Sequence, residues 1–277
     1  MKTQLSVLLL VAGLLARPAA AQTLRRVQDY QLRAELQGEL PLKNGDYLLL
    51  SAFGSKTPAF DKYGSESRLL GFDTRGLALR YEHFWSAHWS GGAGLEHQSY
   101  SGYKYVVPEL LLRHRSAIGP LTFGQRLSGY RTIGVGDRGR TVGQESFNYL
   151  ALRADLEQVL AVGSGAVSLR PRLSYEAVTN VHLQKDKNAP DYDQRTIQYT
   201  SLRAEVGCRL NASFDFTPWF AYTTAYYFSL PQYNPVTGAT VGGGRLNLVT
   251  PVIGLDARFT FGAGPAPAER QQLPTQH

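Results

Sequence analysis

Cysteine is almost absent from this chain of 277 residues, since Cys208 is the only one and no intrachain disulfide can form. Long apolar runs are missing too: past the first 22 residues, no stretch approaches the roughly 20 apolar residues of a membrane-spanning helix. The 29 Lys and Arg residues exceed the 22 Asp and Glu residues, but they form no basic block. These absences exclude a disulfide scaffold and a helical membrane protein, and they argue against nucleic-acid binding.

The first residues have the features of an export signal. They read MKTQLSVLLLVAGLLARPAAAQ, with one early Lys, a short apolar run and three alanines before Gln22. This pattern predicts a Sec-type signal peptide over residues 1–21, cleaved after Ala21. Its removal takes away Lys2 and Arg17 and so lowers the formal charge from +7 by two, to +5. We therefore expect an exported chain that begins with a short N-terminal segment over residues 22–29.

The clearest pattern lies between Phe147 and Glu176, which reads FNYLALRADLEQVL, then AVGSG, then AVSLRPRLSYE. With a period of two, the apolar face is formed by Leu150, Leu152, Leu156, Leu169, Leu173 and Tyr175, and the charged face by Arg153, Asp155, Glu157, Arg170, Arg172 and Glu176. Long strands with one apolar face and one face charged with both signs are typical of transmembrane barrels that enclose a polar lumen.

The same alternation recurs along the chain between turn signals such as Asn44-Gly45. It predicts an all-β fold, a single antiparallel transmembrane β-barrel of about twelve strands over residues 30–261. The number depends on the short segment Ser67–Phe72. If this segment is a separate strand, the barrel has twelve strands. If it merges with the next strand, eleven remain. The first segment must then lie outside the barrel, which leaves ten strands, because single-chain bacterial barrels favour even numbers. A helix over Arg26–Leu40 is the other interpretation of the first segment, and the Asn-Gly turn favours a strand.

Loop lengths alternate between short and long from Trp85 onward. In bacterial barrels the long loops face the cell exterior and the short turns face the periplasm, which places loops 132–146, 181–196 and 231–244 outside. Residues 262–277, rich in Pro and Gln, are predicted to form a disordered periplasmic tail. We expect a bacterial outer-membrane protein whose partners are membrane lipid, lipopolysaccharide and the barrel-assembly machinery. The sequence leaves the oligomeric state open.

Three motifs resemble those of a known family. They are the R-x-x-x-E-Q pattern of Arg153–Gln158, the R-x-E pattern of Arg203–Glu205, and RPRLSYE over Arg170–Glu176 before a long loop. Over the middle and end of the chain, this exported sequence resembles the bacterial outer-membrane barrels grouped as domain of unknown function 2490. The resemblance implies a barrel and supplies no activity or catalytic residue.

Motifs for chemistry are weak. Gly134–Gly139 matches G-x-G-x-x-G, but no helix follows, so a loop is the better interpretation. Asp186–Asp193 gathers three carboxylates without the glycine and closing Glu of a calcium loop, so surface calcium is a minor alternative to a solvated loop. His97, beside Glu96 and Ser99, is the best candidate for a lipid hydrolase, although no nucleophile and base match a mechanism. We expect no cofactor and no metal, and a non-enzymatic barrel is favoured.

The charged faces of the strands are the most informative feature of the sequence. The predicted lumen charge pairs are drawn from Glu109, Arg113, Arg153, Asp155, Glu157, Arg170, Arg172, Glu176, Arg203, Glu205, Arg209, Asp256 and Arg258. Unpaired charges in a narrow interior would be costly, so we expect cross-strand pairs that brace the wall and fill the lumen. The favoured function is therefore a structural or narrow, side-chain-filled barrel. A small anion-preferring channel is the first alternative, and an outer-membrane lipid hydrolase is the second.

Overall fold

The structure is a computed structural model that describes residues 24–42, 45–59, 71–100, 103–135, 146–163, 167–181, 197–229, 232–234, 236–241 and 244–262. The predicted signal peptide, most of the predicted Ser67–Phe72 strand, the Asp186–Asp193 loop and nearly all of the predicted tail lie outside these ranges. No helix within the described ranges is long and apolar enough to cross a membrane.

The described residues form β-strands throughout, as the alternating pattern predicts. The strands are β1 Leu24–Val27, β2 Gln31–Pro41, β3 Tyr47–Lys56, β4 Thr74–Phe84, β5 Trp89–Tyr100, β6 Tyr103–Ile118, β7 Leu121–Val135, β8 Phe147–Glu157, β9 Leu160–Ala161, β10 Ser168–Asn180, β11 Tyr199–Asn211, β12 Phe214–Ser229, β13 Gln232–Tyr233, β14 Thr240–Val241 and β15 Gly244–Thr260.

A single sheet closes on itself to make the barrel. Its order is β15-β12-β11-β10-β8-β7-β6-β5-β4-β3-β2, and β15 also pairs with β2, so eleven strands form the described barrel. Consecutive barrel strands are antiparallel, but the closing pair is parallel, from Val252 opposite Gln31 to Thr260 opposite Glu39. The expected all-β barrel is thus confirmed, and its closing pair differs from the expected antiparallel arrangement. The expected number of about twelve strands stays a prediction, because most of the Ser67–Phe72 segment on which it depends lies outside the described residues. An odd number of up-and-down strands leaves the first and last running in the same direction, and they can then pair only in parallel.

Short strands flank the barrel. β1 continues the line of β2 and pairs in parallel with the start of β15, from Leu24 opposite Leu246 to Val27 opposite Val249. The predicted N-terminal segment 22–29 thus includes a strand. β9 pairs with the start of β10, and β13 and β14 form a separate two-stranded ribbon.

The two faces of the wall are reversed relative to a soluble protein. Leucines lie on the outer face, where Leu110 is 69% exposed, while arginines and carboxylates lie inside, where Arg172 is 4% exposed. Successive side chains of a strand point to opposite faces, so this reversal follows directly from the alternating sequence. The apolar surface is outside and the polar core is in the lumen.

The two ends of the barrel differ in their connections. The turns 42–46, 85–88, 119–120 and 212–213 lie at one end, which we call the short-turn end. Most of the longer connections lie at the other, the long-loop end. Because the strand number is odd, β2 starts at the long-loop end and β15 finishes at the short-turn end.

The turn before β12 is short. It consists of residues 212–213, and β12 begins at Phe214, so Pro218 lies within a strand. Proline cannot donate to a ladder. Pairing between β11 and β12 is accordingly interrupted opposite Pro218, from Glu205–Trp219 to Cys208–Phe216.

Candidate functional site: the barrel interior

All of the residues predicted for the lumen face the interior, and they divide into two layers. We call the layer toward the short-turn end the floor; its charged members are Glu39, Glu82, Arg113, Arg115, Asp155, Glu157, Arg170, Arg172, Glu205, Arg209, Asp215, Asp256 and Arg258. The other layer, the cavity half, has as charged members Arg33, Glu35, Arg80, Glu96, Glu109, Arg126, Arg153, Glu176 and Arg203.

Glu82 is the centre of one part of the floor. Its side chain is 1% exposed and accepts hydrogen bonds from Tyr47 Oη at 2.5 Å, Ser90 Oγ at 2.5 Å and Arg113 Nη1 at 3.2 Å. Ser90 lies on β5, between the strands of Glu82 and Arg113, and its short side chain leaves room for the arginine to cross. The carboxylate is thus saturated by three donors from three strands.

A second part of the floor is a chain of shared ion pairs. Arg172 pairs with Glu157, at 3.6 Å from Nη1, and with Glu205, which also accepts from Arg203 Nε at 2.5 Å. Arg203 continues to Asp256, with Nη2 at 2.8 Å from Oδ2. Four strands, β8, β10, β11 and β15, are therefore linked through charged side chains alone.

Trp219 secures the end of this chain. Its Nε1 donates to Asp256 Oδ1 at 3.0 Å, and the guanidinium of Arg203 lies 3.9 Å from the centre of its ring. A cation over an indole face is attracted by the ring quadrupole, so the tryptophan holds both members of the Arg203–Asp256 pair.

Further pairs complete the floor near the short turns. Asp215 accepts from Arg170 Nη2 at 2.6 Å and from Arg209 Nε and Nη2, both at 3.3 Å. Arg258 donates to Gln37 Oε1 at 2.8 Å and reaches Glu39 at 3.5 Å, across the parallel closure. These contacts join β10, β11 and β12, and β15 and β2.

Inward-facing glycines allow long side chains to lie flat against the wall. A Cβ on Gly207 would lie 3.3 Å from Arg170 Nε, because Arg170 crosses β11 at this point to reach Asp215. A Cβ on Gly254 would overlap the indole ring of Trp219. Any side chain at these positions would displace a member of the ion-pair network.

The cavity half is looser and more hydrated. Arg80 lies 3.2 Å from Glu96 and 3.7 Å from Glu109, and these carboxyl side chains remain 22% and 17% exposed. Arg126 pairs with Glu176 at 2.7 Å. Arg33 contacts Glu35 at 3.4 Å while its side chain is 31% exposed. Water therefore screens these pairs more than those of the floor.

Two cavities occupy this half. One, of about 300 Å³, is lined by charged residues that include Arg33, Glu96, Arg153 and Arg203, together with Trp219. The other, of about 210 Å³, lies on the β5–β8 side and shares Arg80, Glu96 and Glu176 with the first. The space left in the lumen is thus on the long-loop side.

A buried carboxylate also holds the first short turn, outside the strands. Asp46 accepts hydrogen bonds from Tyr81 Oη at 2.6 Å, His83 Nδ1 at 2.9 Å and the amide of Phe84 at 3.2 Å. Burial raises the pKa of Asp46, but the hydrogen bonds from Tyr81, His83 and Phe84 outweigh burial, and the pKa falls below its ordinary value of 3.8.

The partner of each charge depends on the closed barrel. Arg113 pairs with Glu82, and Arg153 lies 3.9 Å from Asp155. Spacing along one strand identifies residues on the same face, but a long arginine can reach beyond its nearest neighbour. Alternation alone could not choose between these partners.

Several network residues were missed in the predicted pair list. Glu39 and Glu82 have the inward parity in the sequence, and Asp215 lies close to Pro218, which disguises the strand there. Tyr47 and Trp219 had no polar signal, because their roles depend on which residues the closed barrel places opposite them.

The residues named for the enzymatic alternative are divided between the two faces of β5. His97 lies on the exposed outer face and Glu96 on the inner face, since adjacent residues of a strand point in opposite directions. Cys208 shares the outer-face parity of β11. Gly134 and Val135 end β7, and the rest of the glycine motif lies outside the described residues. Within the described ranges, no group of three His, Cys, Asp or Glu side chains could hold a metal ion.

Comparisons with known proteins do not assign this chain to a family. No family model matches the chain. No curated protein matches it either. The resemblance to the domain of unknown function 2490 barrels therefore stays a prediction.

Proposed function

We propose that this chain is a bacterial outer-membrane β-barrel whose lumen is closed by side chains and which has a structural, non-enzymatic role. The observation that carries this proposal is the reversed wall, with exposed leucines outside and buried Arg–carboxylate pairs inside. In water such an outer face would expose a continuous apolar band, which soluble monomers avoid. In lipid the same face is the stable one.

The dimensions of the wall support a membrane location. Strands β2, β4 and β8 each have 11 residues, which at a tilt of about 40° span about 28 Å along the barrel axis. The apolar band of an outer-membrane barrel is about 25 Å tall. Exposed aromatic side chains occur at both ends of the wall, such as Trp85 and Trp89 at one end and Tyr100 at the other. Aromatic residues favour the membrane–water interface.

The lumen charges favour a closed barrel over an anion channel. In the described barrel strands, inward arginines and carboxylates are equal in number: Arg33, Arg80, Arg113, Arg115, Arg126, Arg153, Arg170, Arg172, Arg203, Arg209 and Arg258 against Glu35, Glu39, Glu82, Glu96, Glu109, Asp155, Glu157, Glu176, Glu205, Asp215 and Asp256. With the two signs equal in number, these strands hold no excess of arginine that would favour an anion. Selective pores instead place one sign at a constriction.

Fractionation tests the location. Expressed with its leader in a Gram-negative host, the chain should partition with the outer membrane and migrate differently in detergent gels before and after boiling. Recovery as a soluble periplasmic protein whose migration is unaffected by heat would contradict the membrane proposal and favour a soluble β-barrel binder.

Planar-bilayer recording tests the closure. The purified barrel should show little or no conductance. Stable, anion-selective steps that are reduced by Arg153→Ala or Arg203→Ala would instead support the channel alternative.

The parallel closure adds a topological expectation. A tag inserted before Leu24 should be accessible to antibody on intact cells, whereas one placed after Gly262 should require permeabilisation. Accessibility of both tags only after permeabilisation would indicate an even number of strands in the membrane.

A further inference from the structure

The cavity of about 300 Å³ in the cavity half is lined by charges of both signs: Arg33, Arg80, Arg153 and Arg203, and Glu35, Glu96 and Glu176. The floor fills the lumen below it with side chains that are nearly all buried, so a ligand would enter from the long-loop end. Pockets that bind small molecules begin at about this volume.

One wall is cationic and carries Arg33, Arg153 and Arg203, whose like charges repel one another at Arg203. Arg33 lies 4.5 Å from the ring centre of Phe53, and Arg203 lies over Trp219. Stacking holds each guanidinium flat, with its N–H groups directed along the ring plane. Because guanidinium groups cover these faces of Phe53 and Trp219, an apolar or sugar ring cannot stack on them.

The opposite side of the cavity carries Glu96, whose side chain is 22% exposed and pairs with Arg80. Arg80 is shared with Glu109, which lines the neighbouring cavity of about 210 Å³. Glu35 and Glu109 both repel Glu96, so one arginine compensates two carboxylates on this side, and the exposed part of Glu96 is available to a ligand.

We propose that this cavity binds a small zwitterion that carries one carboxylate and one ammonium group, of the size of an amino acid or dipeptide. The carboxylate meets the exposed guanidinium of Arg33, on the side that Arg153 and Arg203 also line, and the ammonium meets Glu96. A ligand with a single charge compensates either the arginines or the carboxylate, and the other group keeps its like-charge repulsion. The direction of entry from outside the cell rests on the proposed function, whereas binding itself does not.

Calorimetry on the folded full-length barrel in detergent tests this proposal. The probes are glycylglycine as zwitterion, propionate and propylamine as single-charge analogues, and glucose as a neutral polar ligand. Glycylglycine should bind at least about tenfold more tightly than each analogue, and Arg33→Gln and Glu96→Gln should each weaken it by a similar factor. Arg75→Gln, an exposed arginine on the outer face of β4, should leave binding unchanged.

Three results would overturn the zwitterion site. Propionate binding as tightly as glycylglycine, without an effect of Glu96→Gln, would show a simple anion site. Glucose binding best would show a carbohydrate site. No binding of any probe to protein whose gel migration shows a folded barrel would show a water-filled cavity. The last result would leave the membrane proposal untouched, since fractionation tests that separately.

Discussion

The floor and the cavity half contain the same residue types, but these residues differ in burial and in the number of their partners. In the floor, Glu82 and Arg172 are 1% and 2% exposed at their side chains and have partners from several strands. In the cavity half, Arg33 and Glu96 are 31% and 22% exposed and have one or two looser partners. Burial, rather than composition, decides whether an Arg–carboxylate set braces the wall or presents charges to a ligand.

The largest expected difference is between two substitutions that each remove one carboxylate charge, one in the floor and one in the cavity half. Glu82→Gln leaves buried Arg113 uncompensated and should lower the free energy of unfolding by about 3–5 kcal/mol. Glu96→Gln, which leaves a hydrated Arg80, should lower it by less than about 1 kcal/mol. Urea unfolding of the detergent-folded barrel, followed by gel migration, measures both. Equal losses would mean that the two layers do not differ in burial.

A glycine substitution tests how tightly the floor is packed. Gly254→Ala should lower the free energy of unfolding by about 1–3 kcal/mol, because the new methyl group displaces Trp219 and disturbs the Arg203–Asp256 pair. Gly129→Ala is the matched control, since its Cβ would meet only Tyr149 O at 3.9 Å. The same urea titration applies, and a Gly254→Ala barrel as stable as the control would contradict the packing described for the floor.

The smallest effect concerns the turn beside the floor. Because the pKa of Asp46 is lowered in the fold, its ionised form stabilises the protein above the ordinary value of 3.8, and this contribution is lost as pH falls through the lowered value. Asp46→Asn should therefore destabilise by about 1 kcal/mol near neutral pH, and the difference should vanish in stronger acid. The free energies of unfolding of both proteins, measured at pH 7 and below pH 3, check this prediction. A difference in stability that does not change with pH would show that Asp46→Asn acts through packing rather than through charge.

The sequence predicted the architecture well because alternation is a local signal. Each strand shows which residues point inward, and Arg153 or Arg172 could be assigned to the interior without any knowledge of its neighbours. Strand number and pairing are not local: the parallel closure depends on the whole count, and the partner of Arg113 depends on two strands at once. The cavity could not be predicted either, since its lining comes from strands far apart in the sequence, from Arg33 on β2 to Trp219 on β12.

Thiol accessibility from outside the cell tests the central claim, a membrane barrel closed by its floor. In a Cys208→Ala background, Ser201→Cys places a thiol in the cavity lining and Thr217→Cys places one in the floor, where Thr217 is 2% exposed. Intact cells treated with a small, membrane-impermeant thiol reagent should show labelling at 201 and none at 217. Labelling at both positions would reveal an open pore, and labelling at neither would contradict a lumen that faces the cell exterior.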